Sequence, residues 1–398
     1  MAAGIRVSRF CLFSYREELG KIMKYRKYGN VGFDVSALGF GCMRFPMKQE
    51  DGVSKIDDSL AIPMLRHAID NGVNYVDTAY VYGGGQSEIT LGKALRDGYR
   101  EKVKIATKMT PRIVESESDF DMMLEKSLER LGVDYIDFYL FHGMDKSKLQ
   151  KTKQFKLIEK LDAALGRGLI KYAGFSFHDD YDCFMECMNM YDNWCMVQLL
   201  FNYMCKDHQA GERGLKYAAD KGLAVVVMEP LYGGKLANLI PQAVEVLDGA
   251  DKPRTAVQWA LDWVWNYPEV SSVLSGMRTM REVEENLAYA GRSEAGSMTD
   301  GDLRRIDKVK DIINGSELVP CTACGYCETC PSGVDIPRNF AAYNESGKYG
   351  LNTGLELYSH IDAGARADKC VSCGVCEEKC PQKIAIGEEM PKVAKYME

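Results

Sequence analysis

The sequence lacks three patterns that would each have assigned it to a large functional class. No window of its 398 residues is apolar over the length that a membrane span requires. No Gly-x-Gly-x-x-Gly motif occurs, which disfavours a doubly wound sheet with a glycine-rich first turn. The net charge of −7 and the lack of a long basic run argue against nucleic acid as a ligand. Without the glycine-rich turn, a nucleotide cofactor would have to be held in another way.

A secretory signal is also missing at the amino terminus. Residues 1–20 contain only a brief apolar patch, at 10–13, which is followed by charged residues. Met23 opens a natural start for the first ordered element, so residues 1–22 are predicted to be an extension outside the fold. Eight of the fourteen cysteines fall in two tight clusters, which is typical of metal binding in a reducing cytoplasm rather than of disulfides.

From about residue 24, short apolar segments alternate with segments of helical apolar spacing. A hairpin at 25–35 is predicted to precede eight strand–helix units. The strands are predicted at 37–42, 75–77, 103–108, 136–142, 172–176, 196–201, 224–229 and 272–275. The helices that follow them are predicted at 61–71, 88–95, 119–131, 155–166, 183–190, 214–221, 254–265 and 280–290. Eight such units within about 260 residues predict an α/β fold, a (β/α)8 TIM barrel.

Several predicted strands end in polar side chains that a buried strand does not need. Asp77 ends the second strand, Lys108 the third and His142 the fourth, while Tyr82 follows five residues after Asp77. A lysine at the end of an apolar strand is costly unless it is paired, and Asp77 is the obvious partner. Tyrosine as proton donor, lysine lowering the pKa of that tyrosine, and histidine polarising a carbonyl are what carbonyl reduction by hydride needs.

The stretch Asp77-Thr78-Ala79-x-x-Tyr82-Gly83, together with Lys108 and His142, resembles the catalytic tetrad of the aldo-keto reductases. The resemblance covers residues 24–292. It implies an oxidoreductase that transfers hydride from NAD(P)H to an aldehyde or ketone, or oxidises the alcohol in reverse, with Tyr82 as general acid.

The same resemblance implies NADP(H), with NAD(H) as the alternative, extended across the mouth of the barrel. The implied cofactor-binding residues are Gly41, Met43, Ser176, Gln198, Met228, Pro230, Leu231, Gly233, Ser275, Gly276, Met277, Arg278, Glu285 and Asn286. Arg278 would pair with a 2′-phosphate. The chain departs from the family at Phe177, where asparagine is usual, at Met228, which replaces a stacking aromatic, and at Glu282, near the adenosine ribose.

Two cysteine runs dominate the chain after residue 299. They are Cys321-x2-Cys324-x2-Cys327-x2-Cys330-Pro331 and Cys370-x2-Cys373-x2-Cys376-x3-Cys380-Pro381. Thiolates three residues apart can wrap one face of an iron–sulfur cluster, and in bacterial ferredoxin runs the fourth cysteine ligates the other cluster. Tetrahedral zinc is the alternative, but two runs of four cysteines with following prolines favour clusters.

The long spacer between the runs makes this region similar to the α-helical ferredoxins, which carry two [4Fe-4S] clusters. This resemblance implies that one cluster is bound by Cys321, Cys324, Cys327 and Cys380, and the other by Cys370, Cys373, Cys376 and Cys330. The whole chain then resembles the ferredoxin-fused branch of the aldo-keto reductases.

The predicted domains are an extension (1–22), the barrel (23–298), a linker helix (299–320) and a ferredoxin-like domain (321–398). A hydride carries two electrons and a [4Fe-4S] cluster accepts one, so the clusters are either structural or serve electron transfer. Three alternatives stay open: an electron-transfer reductase fed by an external donor, a flavin between nicotinamide and clusters, and a redox-sensing protein without activity. The expected partners are a small carbonyl or alcohol substrate and a redox protein, with neither nucleic acid nor membrane.

Overall fold

The computed structural model describes residues 23–328 and 330–398, so the predicted extension at 1–22 lies outside the described residues. Contacts within the chain divide it into two compact units. The first contains the described residues up to Pro230 together with Ala260–Ser297, and the second contains Leu231–Trp259 and Met298–Glu398. The grouping of Leu231–Trp259 with the carboxyl-terminal region has no signal in the sequence pattern.

A closed barrel of eight parallel strands forms the centre of the first unit, as predicted. Its strands are Leu38–Gly41, Tyr75–Asp77, Lys104–Met109, Ile136–Met144, Ile170–Phe177, Trp194–Leu200, Ala224–Met228 and Val270–Ser275. Each strand pairs with its neighbours in chain order, and the last closes on the first through Leu274 opposite Gly39. Most of the strand residues are buried, as expected for parallel strands covered by helices on the outside.

Helices follow the strands around the barrel. In the first unit they are Asp58–Asp70, Gln86–Ala94, Ser118–Leu131, Lys146–Gln154, Leu157–Gly166, Tyr181–Asn189, Gly211–Asp220 and Met280–Ala290, and Ala256–Trp265 crosses the boundary of the units. The helix at Lys146–Gln154 was not predicted because its sequence, KSKLQKTKQ, has almost no apolar periodicity. The Asp145 side chain, which accepts a hydrogen bond from the Lys148 N–H, caps its first turn instead.

The predicted amino-terminal hairpin consists of Tyr25–Lys27 and Asp34–Ser36 in antiparallel pairing. Its turn places Tyr28, which is fully buried, 4.8 Å from the ring of Phe138 and 5.5 Å from the ring of Tyr75. These aromatic rings fill the barrel at the amino ends of its strands, so the carboxyl ends are left for the polar side chains.

A second hairpin, Met47–Glu50 with Val53–Ile56, was not predicted. All but its last two residues are exposed, so it carries no alternation of apolar and polar residues from which a strand could be recognised.

The second unit is helical. Its helices are Pro241–Asp248, Asp300–Gly315, Ile336–Tyr349, Leu351–Ser359, Val375–Lys379 and Ile386–Tyr396. Within the linker predicted at 299–320, the helix Asp300–Gly315 is present, and it begins with a capping box formed by Thr299 and Asp302. Of the helices described, none is both long and apolar enough to cross a membrane.

Two helices of the barrel pack closely against each other at Gly92. A Cβ at this position would lie 2.6 Å from the Leu131 carbonyl oxygen, a backbone atom that cannot move aside. We expect Gly92→Ala to lower the free energy of unfolding by about 1–3 kcal/mol. Gly166→Ala is the matched control, because nothing lies within 4 Å of its Cβ; its stability should stay equal or rise by up to about 1 kcal/mol. Urea unfolding measures the stability of both variants. If Gly92→Ala were as stable as Gly166→Ala, the close packing at Gly92 would be contradicted.

Candidate functional site

The carboxyl ends of neighbouring strands bring Asp77 and Lys108 together in the first unit. The Lys108 ammonium lies 2.5 Å from Asp77 Oδ1 and donates to the Thr78 carbonyl oxygen at 2.7 Å. Both side chains are buried, with Lys108 1% and Asp77 3% exposed. Burial alone would lower the pKa of Lys108, but the Asp77 carboxylate and Tyr82 outweigh it and raise that pKa. Lys108 therefore keeps its charge inside the protein.

Tyr82 opens the short turn Tyr82–Gly85 and lies over the buried pair. Its ring centroid is 5.1 Å from the Lys108 nitrogen and 5.5 Å from the ring of His142, in an edge-to-face arrangement. Burial raises the pKa of Tyr82, and Lys108 opposes this through its charge. The effect of Lys108 has the direction expected from the sequence, but burial outweighs it, and the net shift of the Tyr82 pKa is upward.

His142 completes the group of four. Burial, followed by the charges of Lys108, His178, Lys148 and Arg112, lowers its pKa to about 3. The imidazole is therefore neutral near pH 7. Its Nδ1 lies 3.3 Å from the hydroxyl of Thr110. If that hydroxyl donates to Nδ1, the proton of the neutral ring is on Nε2.

A second buried ion pair supports the loop that carries Tyr82, and sequence analysis missed it. Glu88 is fully buried; it accepts from the Thr107 hydroxyl at 2.7 Å and from Arg130 Nη1 at 3.0 Å. The same Arg130 nitrogen donates to the carbonyl oxygen of Tyr80 at 3.0 Å. Glu88 and Arg130 lie within amphipathic helices, where charged residues are usually solvated, so the sequence held no signal for this pair.

Two of the predicted cofactor-binding residues, Ser176 and Gln198, lie opposite each other on adjacent strands. The Ser176 hydroxyl accepts from the Gly143 N–H at 2.7 Å. The Gln198 side chain, only 2% exposed, lies beside Asp77 and helps to lower the pKa of that carboxyl, although burial raises it more. Its Oε1 atom has no hydrogen-bond partner among the described residues. An unpaired buried amide oxygen suits a ligand that donates an N–H, as a carboxamide does.

Four further predicted residues lie where the last and first barrel strands end. The Asn286 amide donates to the Ser275 hydroxyl at 2.9 Å, and both side chains are buried. A Cβ on Gly41 would come within 3.3 Å of the Ser275 carbonyl oxygen, and a Cβ on Gly276 within 3.2 Å of the Arg44 side chain. Gly41 therefore sits where two backbones pack closely, and Gly276 sits against the Arg44 side chain.

The remaining predicted residues of this region differ in exposure. Met277 is buried, whereas Met43 is 64% exposed and Arg278 lies at the surface. The Glu282 carboxylate accepts from the Arg278 N–H at 2.6 Å, and Glu285 pairs with Arg281 at 2.7 Å. Negative charge thus lies next to Arg278, and Glu285 is already engaged by a neighbour on its own helix.

The loop after the strand Ala224–Met228 has an unusual backbone. Glu229 and Tyr232, neither of them glycine, adopt left-handed conformations with φ of 54° and 49°. Gly233 and Gly234 continue the left-handed run with φ of 69° and 105°. The predicted residue Pro230 is the last residue of the first segment of the first unit, and the predicted residue Leu231 is the first residue of the second unit.

In the second unit, the eight clustered cysteines line two cavities, each of about 330 Å³ with open solvent included. One cavity is lined by Cys321, Cys324, Cys327 and Cys380. The other is lined by Cys330, Cys370, Cys373 and Cys376. Each cavity thus combines three cysteines of one run with the last cysteine of the other, which is the exchange that the sequence predicts. Among the described residues no His, Cys, Asp or Glu group is arranged to hold a single metal ion.

The two cysteine runs share one backbone pattern. The residue before the second cysteine, the glycine after it and the third residue after the fourth cysteine are all left-handed. These residues are Ala323, Gly325 and Gly333 in the first run, and Ser372, Gly374 and Lys383 in the second. Such turns direct successive backbone N–H groups into one concavity, which suits an anionic cluster.

Comparison with known proteins agrees with this architecture. Residues 37–311 match the Aldo/keto reductase family, and residues 320–385 match the 4Fe-4S dicluster domain. A probable aldo-keto reductase of Glycine max is 27% identical over 70% of this chain and 87% of its own length.

Solved structures show the same fold. An apo aldo-keto reductase of Bacillus halodurans is 25% identical, with a TM-score of 0.57 over 72% of this chain and 96% of that one. An aldo-keto reductase of Klebsiella pneumoniae in complex with NADPH is 23% identical, with a TM-score of 0.58 over 73% of this chain and 95% of that one. The chain belongs to the aldo/keto reductase family of oxidoreductases and carries a 4Fe-4S dicluster domain after its barrel.

Proposed function

We propose that this protein is an NAD(P)H-dependent oxidoreductase that reduces the carbonyl group of an aldehyde or ketone, or oxidises the alcohol in reverse. The observation that carries the proposal is the convergence of Asp77, Tyr82, Lys108 and His142 at the carboxyl ends of successive strands. The unpaired Oε1 of Gln198, buried next to this group, fits the carboxamide of a nicotinamide.

Bound NAD(P)H would supply the hydride to the carbonyl carbon. The protein's own residues would then manage the negative charge and the proton at the carbonyl oxygen. Tyr82 donates its hydroxyl proton to that oxygen, and the buried Lys108 ammonium stabilises the phenolate that remains. His142, neutral at pH 7, donates an N–H to the same oxygen and orients the substrate. Asp77 keeps Lys108 ionised and fixed in position.

The proposed dinucleotide is NADP(H), with NAD(H) as the alternative. The Klebsiella pneumoniae structure, whose fold this barrel shares, is in complex with NADPH. Arg278 at the start of the helix Met280–Ala290 would pair with a 2′-phosphate, whereas the Glu282 carboxylate beside it favours a dinucleotide without that phosphate. The other predicted contacts within the first unit, Met43, Met228, Pro230 and Glu285, are proposed to line the same dinucleotide.

We further propose that the two cysteine cavities each hold one [4Fe-4S] cluster. Their composition of three cysteines from one run and one from the other supports this. An electron-transfer role is the second candidate function. It is favoured by Cys324 and Cys373, which are exposed and would bring one edge of each cluster to the surface, where an external one-electron donor could reach it. No flavin forms part of the proposal.

Replacing Tyr82 by phenylalanine should remove the proton donor and leave the binding groups in place. We expect kcat for carbonyl reduction to fall by at least about 100-fold. The dissociation constant for NADPH and the cluster absorbance should not change. Tyr80→Phe, two residues earlier in the same loop, is the matched control and should keep its activity. Steady-state assays on a panel of aldehydes and ketones measure the effect; an active Tyr82→Phe enzyme would refute the role of this hydroxyl.

His142 should also make the protein sensitive to acid. Its pKa of about 3 in the folded protein lies below the value of about 6.5 expected in the unfolded chain. The unfolded chain therefore binds the proton more readily, and stability is lost as the pH falls from about 6.5 toward 3. Between pH 7 and pH 5, wild type should lose up to about 2 kcal/mol more than His142→Gln. Urea unfolding followed by tryptophan fluorescence measures this, and parallel losses would show that the imidazole is not held neutral.

The exchange of cysteines between the runs can be tested by counting iron. Wild type should bind about eight iron atoms, and Cys380→Ser should retain about four. The double variant Cys321→Ser/Cys380→Ser should also retain about four, because both residues line one cavity. Cys330→Ser/Cys380→Ser should retain almost none. Cys195→Ser, whose thiol lies in neither cavity, is the control. Zinc in place of iron, or the opposite order of the two double variants, would contradict the assignment.

A further inference from the structure

The loop that carries Tyr82 is built from residues that would not keep one shape alone. Tyr82 is followed by Gly83, Gly84 and Gly85, which all adopt left-handed conformations, with φ of 56°, 64° and 92°. Glycine reaches many other conformations at little cost, so three in a row leave the position of the tyrosine undetermined by the loop itself. Contacts from outside the loop are therefore needed to fix it.

One arginine contacts this loop on both sides of Tyr82. Arg130 Nη1 donates to the Tyr80 carbonyl oxygen at 3.0 Å, and the guanidinium lies over the Tyr80 ring, 4.4 Å from its centroid. On the other side, a Cβ added to Gly85 would come within 2.5 Å of Arg130 Cζ, so the guanidinium packs directly against the backbone of that glycine. Arg130 thus restricts the chain both before and after the tyrosine.

The same arginine is tied to the strand that carries Lys108. It pairs with Glu88, whose carboxylate is fully buried and also accepts from the Thr107 hydroxyl at 2.7 Å. Thr107 precedes Lys108 in its strand, and the Lys108 carbonyl oxygen accepts from the Tyr80 N–H at 3.1 Å. A continuous chain of hydrogen bonds within the first unit therefore joins the tyrosine loop to the lysine strand.

We infer that Arg130 is a positioning residue for catalysis, which holds the Tyr82 ring over the Lys108 ammonium. The inference rests on the proposed function, in which Tyr82 donates the proton. Because the attraction between the ammonium and the phenolate falls with distance, a displaced loop stabilises the phenolate less. A misplacement of about 1 Å at a catalytic group lowers a rate by up to about 100-fold. Arg130 thereby serves the chemical step through Tyr82, and not the binding of substrate or dinucleotide.

Arg130→Lys in the cluster-loaded full-length protein tests the inference. The lysine keeps a positive charge beside the buried Glu88 carboxylate, but it lacks the planar guanidinium that contacts Tyr80 and Gly85. We expect kcat for carbonyl reduction to fall about tenfold. The KM for the carbonyl substrate and the dissociation constant for NAD(P)H should stay within about twofold of wild type.

Arg100→Lys is the matched control, because Arg100 makes the same kinds of contact at the other end of the barrel. It pairs with the buried carboxylate of Asp137 at 2.8 Å, donates to the Val103 carbonyl oxygen at 3.0 Å and lies over the Tyr135 ring at 4.8 Å. The side chains of Arg100 and Arg130 are also similarly buried, 19% and 16% exposed. Arg100→Lys should lose a similar amount of stability in urea and should keep the kcat of wild type.

A double variant shows whether Arg130 acts through Tyr82. Once the proton donor is gone its position no longer matters, so Tyr82→Phe/Arg130→Lys should have the same kcat as Tyr82→Phe. A further loss of about tenfold in the double variant would mean that the arginine acts elsewhere, and would overturn the inference. The inference is equally wrong if Arg130→Lys keeps the kcat of wild type, or if Arg100→Lys loses as much.

A second pair of variants disturbs the same contact from the loop. The Cβ of Gly85→Ala would displace the Arg130 guanidinium, whereas nothing lies within 4 Å of a Cβ on Gly84, and both glycines are left-handed. We expect Gly85→Ala to show the kcat loss of Arg130→Lys, and Gly84→Ala to stay within about twofold of wild type. Equal kcat values in the two alanine variants would contradict the positioning role.

Hydrogen exchange separates the inference from the proposed function. The amides of 82–87 should exchange faster in Arg130→Lys than in wild type, and at the wild-type rate in Arg100→Lys. A wild type that reduces no carbonyl of the panel with NADPH or NADH would refute the proposed function, and the positioning role in catalysis with it. Exchange that stays the same in Arg130→Lys would refute the positioning role alone.

Discussion

The chemistry proposed for this protein depends on a charged lysine that is kept inside an apolar barrel. Removing an ammonium group from water costs several kcal/mol, and the contact with Asp77 together with the bond to the Thr78 carbonyl offsets that cost. Two other residues of the site depend on this pair: Tyr82 lies over Lys108, and the neutral state of His142 follows in part from the same positive charge. The barrel provides the rigid strand ends without which the pair could not form.

The two compact units are stabilised in different ways. The barrel has a continuous apolar core. The aromatic ring of Tyr28, in the turn of the amino-terminal hairpin, closes this core at one end. In the second unit the buried core includes Cys327, Cys376 and Cys380 themselves. If these thiols ligate clusters as proposed, folding of this unit and metal binding are one process, because the ligands must be brought together for either to occur. The helix Ile336–Tyr349, whose first residue lines both cavities, would then be ordered by the clusters.

The limits of the sequence are clearest at individual residues. Glu88 and Arg130 read as surface charges on amphipathic helices, yet they form the buried pair that holds the carbonyl of Tyr80. The pairing of Lys235 with Glu345 joins positions 110 residues apart, and no local pattern signals it. The net pKa shift of Tyr82 also depends on burial, which only packing determines.

The sequence by itself determined the eight-stranded barrel, the polar strand ends and the two cysteine runs, because each is a local pattern: apolar periodicity, residue type at a strand end, or fixed spacing between thiols. It also predicted the exchange of the fourth cysteines, through the resemblance to ferredoxins. Only the tertiary structure decided which charges are buried, which way the pKa of each group moves, and that the loop at Leu231 belongs with the carboxyl-terminal helices. These properties arise from contacts between residues far apart in the chain, and such contacts leave no periodicity or spacing in the sequence.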